Sequence, residues 1–95
     1  MPVVEGLVWD DENEEEVWHH GLEPSDVASV FEAGHALFKN KRHRRGLFQV
    51  VGKDAQGRYL TVIIQPTRDR TLWRVVTGWP SSTGEITKAK QQGIR

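Results

Sequence analysis

The apolar period of this chain changes from helical to extended at Gly34, and that change limits what the chain can fold into. Ahead of it Val27, Val30 and Phe31 recur at i, i+3 and i+4, the spacing of one helical face. Behind it the apolar residues fall in short β-prone runs, Leu47 to Val51, Tyr59 to Ile64 and Leu72 to Thr77. Helices come first and strands after, which predicts an α+β domain.

Local signals fill in the order. Leu7-Val8-Trp9 reads as a brief opening strand, and Asp10-Asp11 as the capped start of a helix. Carboxylates at Asp10, Asp11, Glu12, Glu14, Glu15 and Glu16 crowd the start of that helix and His19-His20 close it. This is the polarity that the helix dipole favours, and Gly21 supplies the left-handed cap. Pro24 suits the first turn of a second helix that stops by Gly34. Asp54-Ala55-Gln56-Gly57 reads as a hairpin turn between two antiparallel strands. The second of these strands is apolar on both faces at residues 60 to 64, as a central strand would be. Thr67 to Arg70 leads into the third run, which Gly78, Pro80 and Gly84 punctuate, and a last short helix covers Glu85 to Gln92. The expected order is β-α-α-β-β-β-α, two layers with a mostly antiparallel sheet, in one domain over residues 1–95. Residues 39 to 45 are expected as a loop or a fraying strand start.

Four Trp, three Phe and one Tyr provide the large anchors of a modest core. The chain has no Cys, which removes disulfides and thiolate chemistry and fits a reducing compartment. No apolar run is long enough for a membrane span, and the first residues lack the pattern of a secretory signal. The expected location is the cytoplasm.

Charge is sorted along the chain. Ten carboxylates and no Lys or Arg lie between Met1 and Gly34, while all 13 Lys and Arg lie from Lys39 onward. The formal net charge of zero describes neither part, and a basic surface of this kind attracts polyanions and acidic proteins. Its densest stretch is Lys39-Asn40-Lys41-Arg42-His43-Arg44-Arg45. A solvated loop and a phosphate-contacting loop both fit that stretch. Arg58 and Arg74, placed on neighbouring strands, extend it toward a basic sheet face suited to RNA. The same sorting allows the acidic helices to fold back and neutralise part of that face.

Familiar nucleotide-binding, hydrolase and zinc motifs are missing, and neighbouring His19 and His20 point about 100° apart on a helix, so no metal site or cofactor is expected. Metal-free RNA cleavage needs a base for the 2′-hydroxyl, an acid for the leaving oxygen and cations for the phosphate. The available groups are His43, Glu85, Arg58, Arg74 and the cations Lys39, Lys41, Arg42, Arg44 and Arg45, with Trp79 or Tyr59 as a stacking surface. These residues do not by themselves single out one acid–base pair.

A set of short elements in a fixed order resembles the BrnT family. They are Trp9-Asp10, Asn13, His20-Gly21-Leu22, Val30-Phe31, Gly57-Arg58 leading to Val62-Ile63-Ile64, Arg74-Val75-Val76-Thr77, and Glu85. The resemblance spans about residues 8 to 86. It implies a RelE/ParE-like fold and a ribonuclease toxin of a type II toxin–antitoxin pair. The partner it implies is a DNA-binding ribbon-helix-helix antitoxin, BrnA. Together with the basic second part of the chain, it makes Arg74, Glu85 and His43 the first candidates for catalysis, with Trp79 kept from the residues themselves in the RNA-contacting set. In the family the third β run leads into a Ser-Ala-Arg-like segment; here Thr77-Gly78 are followed by Trp79 where the cation is expected. The alternative implied by that exchange is a relative that binds nucleic acid or protein without cleaving.

Overall fold

Each helix begins where a side chain satisfies backbone N–H groups that have no partner inside the helix. The computed structural model describes residues 4–32, 34–39 and 48–93, with Lys39 described in its backbone alone. After β1 (Gly6–Val8), Asp10 caps α1 (Asp11–His19). The Asn13 N–H donates to Asp10 Oδ1 at 2.9 Å, and the Asp10 N–H donates back to Asn13 Oδ1 at 2.8 Å. This reciprocal capping box holds both chain and charge at the helix start. Gly21 turns the chain at φ 78°, and α2 (Pro24–Val30) follows, with the Glu23 N–H held by Asp26. At the other end of the chain Ser82 and Glu85 form the same kind of box on α3 (Thr83–Gln91).

Among the described residues four strands separate α2 from α3: β2 (His35–Lys39), β3 (Phe48–Lys53), β4 (Tyr59–Pro66) and β5 (Leu72–Pro80). The expected order had three. The additional strand is β2, which pairs antiparallel with β3 from His35 opposite Gly52 to Lys39 opposite Phe48. Its apolar residues Ala36, Leu37 and Phe38 are consecutive because both of its faces are covered, so it carries no alternation to read. The sheet order is β1-β5-β4-β3-β2, with β1 parallel to β5 and the remaining pairs antiparallel.

The sheet buries both faces. On one, Val17 of α1, Leu22, and Val27 and Val30 of α2 pack on Val50, Leu60, Val62, Ile64, Trp73 and Val75. Phe48 meets Trp73 edge-on, with centroids 5.4 Å apart, a geometry aromatic quadrupoles favour. On the other, Ala89 of α3 packs on Ala36 and Val51, beside Phe38 and Tyr59. The expected two layers are therefore joined by α3, which covers part of the far face. Residues 60–64 are buried on both sides, as a central strand requires. No helix among the described residues is long and apolar enough to cross a membrane.

A bulge in β5 decides which side chains face α3. Ile63 lies opposite Thr77, but Ile64 lies opposite Val75, so Val76 is an extra residue in that strand. Without it, simple alternation would send Thr77 and Trp79 to the helix-pair side with Trp73 and Val75. With it, Gly78 takes that side, near Leu22, and Arg74, Thr77 and Trp79 share the opposite face.

Candidate nucleic-acid interface

The far face of β5 carries a strip of polar side chains joined to both α1 and α3. The Thr77 hydroxyl donates to Glu16 Oε2 at 2.8 Å. The same carboxylate oxygen lies 3.2 Å from His20 Nε2, one helical turn further along α1. The His20 ring is tilted over Trp79, with centroids 6.2 Å apart. The indole N–H of Trp79 donates to both Glu85 oxygens, at 3.1 and 3.3 Å. Glu85 in turn accepts from the Ser82 N–H at 2.8 Å and from Gln49 Nε2 at 3.3 Å. The hydrogen bond from Thr77 holds the Glu16 carboxyl below the usual range; partial burial opposes it and His20 assists it.

Arg74 stands at the opposite end of this strip from Trp79, on the same face. Its guanidinium reaches Asp10, with Nη2 3.0 Å and Nε 3.1 Å from Oδ2, and lies 3.6 Å from Glu12. The acidic helix does fold back on the basic sheet here. The Asn13 N–H is the main cause holding the Asp10 carboxyl below its ordinary value; partial desolvation opposes it and Arg74 adds to it.

Arg58 belongs elsewhere. It follows the hairpin turn, with Nε 2.9 Å from Asp54 and Nη2 3.4 Å from Asp26 of α2, and so ties the turn to the helix pair and not to the strip. Lys39 ends β2 opposite Phe48. Lys41, Arg42, His43, Arg44 and Arg45 lie outside the described residues. Of the sequence candidates the fold therefore joins Glu85 and Trp79 directly and sets Arg74 on their face.

Glu16, His20, Thr77 and Gln49 complete the strip and were not singled out as site residues. The i, i+4 spacing of Glu16 and His20 was a usable signal for that pair. Their approach to β5 was not, because it depends on the bulge. A separate groove of about 500 Å³ runs between α1 and α2, lined by Asp11, Glu14, Glu15, Glu23 and the exposed Trp18. Its carboxylates repel a polyanion, so concavity alone does not make it the RNA site.

No protein-family model matches the chain, and no curated protein matches it. Among solved structures, the fold is similar to the 1.1 Å crystal structure of the Brucella abortus ribonuclease toxin BrnT, with a TM-score of 0.63. Identity is 16%, and the match covers 82% of this chain and 97% of that one. The chain has a BrnT-like fold.

Proposed function

We propose that this chain is a cytoplasmic ribonuclease toxin of a type II toxin–antitoxin pair, with a RelE/ParE-like fold in one domain. It cuts RNA without a metal, inhibits translation, and is held inactive by a ribbon-helix-helix antitoxin of the BrnA kind. The observation that carries this reading is the strip on β5, where a guanidinium, a carboxylate, an imidazole and an indole share one face of a BrnT-like fold. Arg74 meets the scissile phosphate, replacing its bonds to Asp10 and Glu12 with bonds to phosphate oxygens. Trp79 offers its ring to an unpaired base. Proton transfer falls to Glu85 and His43, with the His20 imidazole, steered by Glu16, as a further carrier on the same face. Incubating pure protein with RNA in the presence of a chelator tests this directly. The expected result is discrete cleavage products, lost in Arg74→Gln, together with growth arrest when the chain is expressed alone; intact RNA overturns it.

One observation favours a second reading, in which the face binds nucleic acid or protein without cutting. Trp79 occupies the position where the resemblance expects a cation, and its N–H is already bonded to Glu85. Under that reading the same incubation yields salt-sensitive binding and no product.

A further inference from the structure

Apart from Arg68 and Arg70, the described cations are of two kinds. Arg58 and Arg74 are held by carboxylates, whereas among the described residues no carboxylate lies within ion-pair distance of Lys53, Lys88 or Lys90. These three ammonium groups stand over aromatic rings. Lys53 Nζ and Lys90 Nζ lie 5.3 and 5.9 Å from the centroid of Tyr59, and Lys88 Nζ lies 4.0 Å from that of Phe38. A ring attracts a cation through its quadrupole but carries no net charge, so the positive charge is placed without being cancelled. Two such charges over one ring repel each other until an anion arrives. The Tyr59 hydroxyl beside them is buried and has no hydrogen-bond partner among the described residues.

This patch continues the strip. Helix α3 runs from Glu85, bonded to Gln49, to Lys88, over Phe38, and Phe38 is the registered partner of Gln49. Lys90 and Lys53 then meet at Tyr59, the partner of Lys53 on β4. Arg68 and Arg70 are exposed on the turn at the other end of β4 and do not join it.

We propose that single-stranded RNA lies along α3, with its phosphates on Lys53, Lys88 and Lys90 and its unpaired bases toward Trp79. The inference rests on the RNA reading above and gives the substrate its path. Placed ammonium groups beside a stacking ring are what a flexible, unpaired strand requires, and a duplex keeps its base faces covered.

The test measures binding of a short labelled single-stranded RNA by anisotropy across a salt series, for the full chain and for Lys53→Gln/Lys88→Gln/Lys90→Gln. Neutralising three phosphate contacts is expected to flatten the log–log salt slope by about 2 and to weaken binding by about tenfold or more. The exposed pair Lys88→Gln/Lys90→Gln, which leaves the sheet untouched, is expected to flatten it by about 1. Variants that keep the native circular dichroism together with the original slope and affinity overturn the proposal. So does a poly-glutamate peptide of equal charge that binds as tightly as the RNA. Salt-sensitive, lysine-dependent binding without cleavage upholds this path and sinks the ribonuclease reading. Cleavage with a KM unchanged by the triple substitution does the reverse.

Discussion

Arg74 and Asp10, 64 positions apart, meet through a two-pronged contact in which Nη2 lies 3.0 Å and Nε 3.1 Å from the same carboxylate oxygen. The carboxylate that starts α1 is thus also the group that occupies the cation proposed to hold phosphate. Helix initiation depends on this side chain, and the availability of Arg74 depends on it together with Glu12.

Asp10→Asn separates these two tasks. An Asn side-chain oxygen still caps the helix, but it no longer competes as a charge for Arg74. The expected outcome is a small change in melting temperature with tighter RNA binding. Asp10→Ala loses the cap as well and melts several degrees lower. Thermal denaturation and anisotropy on both variants check this, and equal RNA affinity for Asp10→Asn and the parent contradicts it.

Asp54 governs the acid side of the stability profile. Its side chain is fully buried, and Oδ1 accepts the N–H groups of Gln56 and Arg58 while Oδ2 accepts Arg58 Nε, each at 2.9 Å. Burial works against its charge, but the Arg58 amide, the Arg58 guanidinium and the Gln56 amide outweigh it and hold the carboxyl below its ordinary pKa. A lowered folded-state pKa contributes stability that is full above the ordinary carboxylate range, near 4, and is lost as pH falls through the folded value. Asp54→Asn is expected to cost about 2 kcal/mol near neutral pH and to lose less than the parent on acidification. Urea titrations at several pH values give both numbers.

Trp79 makes two separable contributions. Trp79→Phe keeps a ring but drops the N–H that bonds Glu85, and is expected to retain most RNA affinity. Trp79→Ala is expected to weaken single-strand binding by roughly 1–3 kcal/mol, the worth of one stacked base. Matching affinities for the parent and Trp79→Ala would remove the indole from the interface.

Two glycines should respond in opposite directions. A Cβ at Gly52 would lie 2.9 Å from His35 Cβ, 3.0 Å from Val30 Cγ1 and 3.3 Å from the Gly34 carbonyl. None of these is the loose end of a side chain, so Gly52→Ala should cost about 1–3 kcal/mol. A Cβ at Gly84 meets nothing closer than Ser82 Oγ at 4.0 Å, and Gly84→Ala in α3 should stabilise by about 0.5–1 kcal/mol. Chemical denaturation of the pair decides both.

Where the chain signals its structure locally, the sequence was legible. The caps at Asp10 and Gly21, the apolar stripe of α2, the 54–57 turn and the buried centre of β4 all follow from neighbouring residues. The bulge at Val76 does not, and alternation alone puts Thr77 and Trp79 on the wrong face relative to Arg74. Gly78 and Pro80 read as terminators, yet β5 runs through both. Gly78 sits in the strand at ordinary contact distance from Leu22, and Pro80 is the last residue of the strand, where a missing donor costs least. The resemblance identified the fold and included Arg74 and Glu85 of the strip, whereas Trp79 is where the chain departs from the family pattern. The partners of Arg58 and Arg74 were beyond it, because which carboxylate reaches which guanidinium is a matter of tertiary approach.

The parallel pairing of β1 also fixes when the strip comes into being. Among the described strands β1 pairs with β5 alone, so Gly6–Val8 waits for Leu72–Arg74 before it can be seated. Contacts so distant in the chain form slowly, because the intervening loop must be closed before they repay its entropy. The helix pair and the β3–β4 hairpin have local contacts to start from, but the Arg74 bridge to Asp10 and the Thr77 bond to Glu16 await that closure. A nascent chain that has not yet released β5 possesses neither bond and has no strip from Arg74 to Trp79 to present.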